Sequence, residues 1–195
     1  MVPSTAKIVI IGAGVLGTSA AFHLAAAGHQ DIVLLDRGPI AGGTTPFAAG
    51  QTAYLPAKKH LLPFTTYCLT FFENFAARTG YAIDFHQPGS LRIALTEQHV
   101  PGLHARVEAA TSLGDTVEWL TPQQARELVP ALNVPDAKGI LFMPRDGYVE
   151  PRSVAAAYAA AARDRGVTIC TRTPTMGVDI EEGAVRTVRD RKSVV

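Results

Sequence analysis

The segment from Lys7 to Arg37 constrains the fold more than any other part of the chain. It opens with the β-branched apolar run Ile8–Ile11, which predicts a strand buried on both faces of a parallel sheet. A helix is predicted over Val15–Ala27. Between the two lie three glycines in G-x-G-x-x-G spacing, namely Gly12, Gly14 and Gly17. Such glycines allow a sharp turn, close approach of the backbone to a pyrophosphate, and close packing of the helix on the sheet.

A second predicted buried strand, Ile32–Leu35, ends at Asp36. Free N–H groups and the positive end of the helix dipole converge at the glycine turn, where a diphosphate can bind. Asp36 can accept hydrogen bonds from the ribose hydroxyls of an adenosine. It would repel a 2′-phosphate, although the neighbouring Arg37 offsets part of that effect. Strand, helix and acid together favour dinucleotide binding over the alternative, a βαβ unit with an incidental glycine turn.

Composition excludes several classes of function. The 195 residues are 47% hydrophobic and 18% charged, as expected of a globular protein with a substantial core. A net charge of +1 gives no electrostatic reason to expect nucleic acid or an anionic membrane as partner. The apolar stretch Ile8–Ala27 imitates a secretion signal, but the glycine fingerprint explains it better, so we expect a cytoplasmic protein. Cys68 and Cys170 predict buried free thiols, and the six histidines form no ligand-spaced pair, so no metal site is expected.

The segment from Arg37 to Gln51 predicts a loop without regular structure, because it is rich in Gly, Thr and Pro. It leaves the carboxyl end of the second strand, the edge at which such sheets bind ligands. Thr44 and Thr45 can supply hydroxyl and backbone donors to phosphate oxygens. The small residues Ala48–Gly50 leave room for a flat ring system against the backbone. An ordinary surface loop is the alternative.

After Gln51 the chain no longer follows the strand–helix–strand pattern of its first part. Aromatic residues at helical spacing predict a helix over Pro63–Thr79, whose aromatic stripe is interpreted as core rather than as a flavin or substrate cage. The alternating strand Ser90–Leu95 then indicates entry into a second domain. The remaining predictions are a helix over Glu97–Leu113, a short helix capped by Thr121, a strand Ile140–Met143, a helix Arg152–Arg165, a strand Val167–Thr171 that returns to the parallel sheet, and a hairpin Gly177–Val188.

Three further motifs accompany the fingerprint in order: G-G-T-T-P-F-A-A-G, F-H-Q-P-G-S-L-R-I-A-L-T and P-R-D-G-Y-V-E-P. With them, the chain resembles the FAD-dependent amine oxidoreductases of the D-amino-acid-oxidase superfamily, in the dimethylglycine and sarcosine dehydrogenase or oxidase branch. The resemblance extends over residues 7–188. It implies an α/β fold, a Rossmann-like FAD-binding domain into which the start of an α+β substrate domain is inserted. It also implies oxidation of a C–N bond in an N-methylated glycine-type amine by hydride transfer to the flavin.

The resemblance also implies which residues contact FAD. Val15, Leu16 and the three glycines correspond to the pyrophosphate site, and Asp36 with Arg37 to the adenosine site. The loop from Thr44 to Gln51 would pass the flavin, and Thr175 would contact adenine, where valine is more usual in the family. Many relatives bind the flavin covalently through a histidine at the position of Phe47, so noncovalent FAD is expected. The implied cofactor-binding set is Gly12, Gly14, Val15, Leu16, Gly17, Asp36, Arg37, Thr44, Thr45, Phe47, Gln51 and Thr175.

Family members are longer than this chain, so we expect a truncated N-terminal portion that is inactive by itself. The predicted division is an FAD-binding part over 1–80, the start of a substrate domain over 81–148, and a return to the FAD-binding domain over 149–189. Residues 190–195 do not resemble family sequence and predict an artificial terminus; a genuine short protein with a polar tail is the alternative. The missing part would hold the catalytic residues and, as in some relatives, a folate-binding domain.

Two other functions fit parts of the sequence. The fingerprint alone allows a nicotinamide-dependent dehydrogenase, against which the later motifs argue. The chain could also be a non-catalytic fragment that binds FAD or ADP. No catalytic acid, base or nucleophile can be assigned from these residues, and the expected partner is a small-molecule amine.

Overall fold

Strands and helices alternate along the chain, of which the computed structural model describes residues 2–56 and 58–190. The strands are β1 (Ile8–Ile11), β2 (Ile32–Leu35), β3 (Gln51–Thr52), β4 (Phe85–His86), β5 (Ser90–Ala94), β6 (Glu118–Trp119), β7 (Gly139–Met143), β8 (Gly147–Val149), β9 (Thr168–Cys170), β10 (Thr175–Glu181) and β11 (Ala184–Asp190). The helices are α1 (Val15–Ala26), α2 (Leu62–Glu73), α3 (Phe75–Thr79), α4 (Val100–Ser112), α5 (Pro122–Leu128) and α6 (Pro151–Arg163). Short 3₁₀ turns lie at Thr45–Phe47, Lys59–Leu61 and Glu97–His99.

These elements form two compact units. The first contains the chain up to Gly50, the segment Phe75–Asp84 and the chain from Val149 onward; the second contains Gln51–Asn74 and Phe85–Tyr148. The functional domains expected from the sequence are a different division, and they stay a prediction. Of the expected artificial terminus, Asp190 is the last residue of β11, and residues 191–195 lie outside the described part of the chain.

The first unit is built on a parallel sheet in the order β1-β2-β9. Ile8 pairs with Ile32 at one end of β1 and β2, and Leu35 pairs with Cys170 at the end of β2 and β9. All four residues of the central strand β2 are buried, as its unbroken apolar sequence predicts. The predicted return of the chain to the parallel sheet after α6 is confirmed by β9.

β1 differs from its prediction. It lies at the edge of this sheet, three of its residues are half-buried, and Ile11 is 55% exposed. The β-branched run correctly predicted a parallel strand, but burial on both faces was wrong, because other segments do not fully cover the two faces of β1. The exposed Ile11 directly precedes the glycine turn.

Helices α1 and α6 pack against each other through small residues and a few rings. Ala21 on α1 and Ala155 on α6 have no exposed surface. Tyr158 of α6 lies 5.5 Å from the ring of Phe22 and 4.8 Å from that of Phe75, measured between ring centroids. Because both faces are rich in alanine, the two helices approach closely and bury backbone and side-chain atoms together. This packing holds α1 against α6 within the first unit.

The antiparallel hairpin β10–β11 completes the first unit, and its turn lies at Glu182 and Gly183 as predicted. Both residues have positive φ, 51° and 76°. Val188 of β11 packs against Val33 and Leu35 of β2, so one face of the hairpin contributes to the core of the parallel sheet.

The second unit contains two small three-stranded sheets, with strand orders β5-β7-β6 and β3-β8-β4. The pairs β5–β7, β6–β7 and β3–β8 are antiparallel. Its core joins Leu69 of α2, Leu103 of α4 and Leu141 and Met143 of β7, all of them buried, around the fully buried Tyr54. The strand predicted at Ser90–Leu95 is β5, which pairs with β7 from Ser90–Met143 to Ala94–Gly139.

Asp146 is a buried polar residue of this unit whose carboxylate has three hydrogen-bond donors around it. Its side chain is 2% exposed. It accepts hydrogen bonds from the Tyr54 amide at 3.2 Å, the Ser90 hydroxyl at 2.6 Å and the Arg92 guanidinium at 3.0 Å. One carboxylate thus joins the segment before α2, strand β5 and the turn between β7 and β8.

The preceding Arg145 makes a second ionic link. Its guanidinium contacts Glu73 at 2.9 Å and Asp115 at 2.8 Å, and it lies over the ring of Tyr54 at 5.2 Å from the centroid. The R-D pair of the P-R-D-G-Y-V-E-P motif therefore stabilises the second unit.

The predicted helix over Pro63–Thr79 is two helices, α2 and α3, separated at Asn74. The core interpretation of its aromatic stripe holds for Phe71 and Phe75, which are buried, whereas Phe64 is 67% exposed. Periodicity located the buried face but not the break at Asn74. There the Asn74 amide donates to the Phe71 carbonyl, three residues earlier, as at a helix end.

The helix predicted after Thr121 is confirmed together with its cap. The Thr121 hydroxyl accepts from the Gln124 amide at 3.2 Å, and the Gln124 side chain accepts from the Thr121 amide at 2.9 Å. Each bond satisfies a donor that the first turn of a helix would leave free.

The two cysteines are free thiols, as predicted, but both are half-buried rather than buried. Burial raises the pKa of the Cys68 thiol. A raised pKa lowers the thiolate fraction at neutral pH, and the thiolate is the reactive form.

Candidate dinucleotide-binding site

The glycine turn between β1 and α1 has geometry that only glycine satisfies at two positions. Gly12 has a φ of 108°, in the region that L side chains rarely adopt. A Cβ on Gly17 would overlap the carbonyl oxygen of Gly12. A Cβ on Gly14 would lie 3.0 Å from the Thr45 hydroxyl oxygen. The reasons predicted for Gly12 and Gly17, a sharp turn and a tightly packed helix, are present in the structure, whereas the reason predicted for Gly14, close approach to a pyrophosphate, stays a prediction.

Amides at the start of α1 form the concave side of this turn. The Val15 amide donates to the hydroxyl of Thr45 at 3.0 Å, so it is not free as the sequence analysis expected. The amides of Gly14, Leu16 and Gly17 have no hydrogen-bond partner within the described ranges. N–H groups at a helix N-terminus, with the helix dipole behind them, are suited to an anion such as a diphosphate.

Asp36 ties the end of β2 to the same turn. Its carboxylate accepts from the Ala13 amide at 2.5 Å and from the Gly38 amide at 2.6 Å. Each carboxylate oxygen has a second lone pair, so Asp36 can still accept hydroxyl donors from a ribose. Ala13 and Gly38 were not among the predicted site residues. The bond to Ala13 spans 23 positions and depends on how distant segments meet, whereas the bond to Gly38 is a local turn of two residues.

A cavity of about 210 Å³ opens beside Asp36. Gly12, Arg37 and Thr175, three of the predicted residues, line it together with Asp36. Its remaining walls, which the sequence analysis did not identify, are Ile11, Leu35 and Pro174. The position of Pro174 directly before Thr175 was the only available signal for it.

The Thr175 hydroxyl oxygen is buried and has no hydrogen-bond partner among the described residues. A buried polar atom without a partner is unfavourable, and a polar ligand in the cavity would relieve this. The orphaned hydroxyl, the unpaired amides and the glycine turn therefore fit an adenine dinucleotide.

Eight of the twelve predicted residues do not line this cavity. Five of them belong to the glycine turn and the start of α1 or contact it, namely Gly14, Val15, Leu16, Gly17 and Thr45. The other three lie farther along the chain. Thr44 is exposed, and Phe47 is 85% exposed. The loop that carries them contains the short 3₁₀ turn Thr45–Phe47, where no regular structure was expected. Gln51 belongs to β3 of the second unit. Their roles toward a cofactor stay predictions.

The described residues contain neither a metal-binding cluster nor a membrane-spanning helix. No group of three or more His, Cys, Asp or Glu side chains there could hold a metal ion. None of the described helices has both the length and the apolar character needed to cross a bilayer. The cellular compartment stays a prediction.

The parallel sheet and the glycine turn leading into α1 define the class of Rossmann-like dinucleotide-binding folds. The chain belongs to the FAD dependent oxidoreductase family, whose model matches residues 7–195. It is 34% identical over 193 residues to the mitochondrial pyruvate dehydrogenase phosphatase regulatory subunit of Mus musculus, covering 99% of this chain and 22% of the relative. It is 33% identical over 194 residues to the mitochondrial dimethylglycine dehydrogenase of Rattus norvegicus, covering 94% and 23%.

Among solved structures, L-proline dehydrogenase from P. horikoshii has a TM-score of 0.90 at 22% identity, covering 100% of this chain and 51% of that one. At this identity the likeness concerns the fold. The chain spans less than a quarter of the length of these two curated relatives, 22% and 23%.

Asp36→Asn is expected to weaken FAD binding by roughly tenfold or more, since a hydrogen bond to a charged group contributes about 1.5–3 kcal/mol. An amide side chain presents one oxygen where two backbone N–H groups now donate. Titration of FAD by fluorescence quenching measures the change. Asp31→Asn is the matched control, because Asp31 is 61% exposed and its ion pair within the described ranges is with the exposed Lys7. Equal affinity of the two variants would contradict the role given to Asp36.

Proposed function

We propose that this chain forms the FAD-binding part of an oxidoreductase acting on the C–N bond of an N-methylated glycine-type amine, such as dimethylglycine or sarcosine. The observation that carries the proposal is the cavity beside Asp36 in a chain of the FAD dependent oxidoreductase family. The likeness to dimethylglycine dehydrogenase supports the substrate class. Family membership also favours FAD over the nicotinamide alternative.

The residues of the chain would each bind one part of the cofactor. The Leu16 and Gly17 amides would donate to the pyrophosphate, Asp36 would accept from the ribose hydroxyls, and the Thr175 hydroxyl would face adenine. Arg37 would border the adenosine. Their task is to bind and orient the cofactor, whose flavin, when bound, would accept a hydride, a proton with its two electrons, from the carbon next to the amine nitrogen.

The loop Thr44–Gln51 would hold the cofactor without a covalent bond. Phe47 has no ring nitrogen that could bond to the flavin, and its exposed position leaves it available for stacking. Denaturation should therefore release all flavin into the supernatant. Flavin that stays with precipitated protein would contradict noncovalent binding. The folate-binding domain implied by the resemblance stays a prediction.

A second candidate function is FAD binding without catalysis. The relative that is 34% identical carries the name of a regulatory subunit, which favours this alternative specifically. The same cavity and glycine turn would then bind FAD as a structural or regulatory ligand. The two functions differ in whether an amine reduces the flavin.

Anaerobic titration of the complete, flavin-loaded gene product with dimethylglycine and sarcosine separates them. We expect either amine to bleach the visible absorbance of the flavin, whereas glycine betaine, which has no nitrogen lone pair, should not. Bound flavin that no secondary or tertiary amine reduces would support the regulatory function. Protein without flavin, and without affinity for added FAD, would overturn both functions.

A further inference from the structure

A cavity of about 500 Å³ lies in the second unit between strand β5 and the start of α4. Arg92 of β5 and Arg106 of α4 line it, with the apolar side chains of Ile93 and Leu103 beside them. Gln98, also in the lining, adds a side-chain amide. None of these residues is among those proposed for FAD.

Both arginines have unused donors. Arg92 donates through Nη2 to Asp146 at 3.0 Å, and Arg106 donates through Nη1 to the Gly102 carbonyl at 2.8 Å. The Nε atoms of both side chains are buried and have no hydrogen-bond partner in the described part of the chain. A guanidinium has five N–H donors in a planar fork, so each side chain can bind a further acceptor.

The local charge is positive. Arg92 pairs with the buried carboxylate of Asp146, two of whose other acceptor positions are taken by Tyr54 and Ser90, whereas Arg106 donates to a neutral carbonyl, that of Gly102. Burial lowers the pKa of the Arg106 guanidinium, and the nearby Arg92 charge lowers it further. Like charges held together in a partly buried place favour a bound anion, which would neutralise one of them.

We propose that this cavity binds the oxyanion group of a small molecule, a carboxylate or a phosphate, with Arg92 and Arg106 as its ligands. Both groups match the guanidinium fork, which can donate two parallel hydrogen bonds to either. Ile93 and Leu103 would contact the apolar remainder of the molecule. The site takes all its named ligands from the second unit and does not depend on FAD binding.

Calorimetric titration of the complete gene product with inorganic phosphate, and separately with acetate, tests the proposal. Sodium chloride at equal ionic strength controls for screening. Arg106→Gln is expected to raise the Kd of the bound anion about tenfold, because it removes one charge-assisted partner. Arg106 is the better residue to change, since Arg92 also supports Asp146. Arg126→Gln on α5, an exposed arginine of the same unit, is the matched control.

The difference between wild type and Arg106→Gln isolates this cavity from other anion sites, the glycine turn included. Tighter binding of phosphate assigns a phosphate ligand, and tighter binding of acetate assigns a carboxylate ligand. Absence of binding by both anions overturns the proposal, as does equal affinity in Arg106→Gln. If that variant does not fold, Arg106→Lys takes its place, because it keeps the charge and loses the fork; unchanged affinity there also overturns the proposal.

Discussion

Gly17→Ala is expected to abolish retention of FAD and to lower the free energy of unfolding by about 1–3 kcal/mol, the usual cost of overpacking. The added Cβ would overlap the Gly12 carbonyl oxygen, a backbone atom that cannot rotate away. The turn would have to open, which displaces the Leu16 and Gly17 amides. Losing two hydrogen bonds to a charged diphosphate, at about 1.5 kcal/mol or more each, weakens binding about 100-fold.

Urea unfolding and FAD titration measure the two effects. Gly102→Ala is the matched control for stability, because Gly102 also lies in a helix and its added Cβ would meet only Arg106 Nη1, at 3.7 Å. Alanine is the better helix former, so this control should gain about 0.5–1 kcal/mol. The two substitutions should therefore have opposite signs. A Gly17→Ala protein as stable as wild type, with unchanged FAD affinity, would show that the turn does not hold the cofactor.

Asp146→Ala is expected to lower the free energy of unfolding by about 2–4 kcal/mol, because it leaves a buried amide and a partly buried guanidinium without their acceptor. The three donors concerned are the Tyr54 amide, the Ser90 hydroxyl and Arg92. Arg92 is 33% exposed and can recover some hydration, which places the effect below that of a fully buried pair.

Asp179→Ala is the control for this prediction. Asp179 pairs with Arg189 at 3.0 Å, but the two side chains are 44% and 53% exposed, so the loss should stay within about 0.5 kcal/mol. Asp146→Asn should fall between the two variants, since an amide keeps one acceptor and loses the charge. Equal losses in Asp146→Ala and Asp179→Ala, measured by urea unfolding, would mean that the buried carboxylate does not link its three neighbours.

The sequence predicts those parts of the fold that are determined within a few residues. The glycine turn, the cap at Thr121 and the hairpin turn at Gly183 each depend on local backbone geometry. The buried strand β2 follows from four consecutive apolar residues. These features do not depend on which segments meet in space, so the structure contains them close to where the sequence predicts them.

Features that depend on distant partners could not be predicted. The bond from Val15 to Thr45 spans 30 positions, and that from Tyr54 to Asp146 spans 92. Nothing in the sequence around Val15 or Tyr54 indicates which hydroxyl or carboxylate will accept a hydrogen bond from its amide. The exposure of Ile11 likewise depends on distant segments, namely those that pack beside and over β1. Thr175 was identified from the resemblance alone, since no pattern near it indicates an adenine contact.

The carboxylate of Asp36 fixes the glycine turn and the loop after β2 through hydrogen bonds made within the protein, to residues 13 and 38. For the cofactor proposed above, these bonds would make the binding site preorganised. Little conformational entropy is then lost on association, so a larger share of the contact energy appears as affinity. Binding of FAD to such a preorganised site should follow a single kinetic phase, without a slow isomerisation afterwards. Its observed rate constant should rise linearly with FAD concentration.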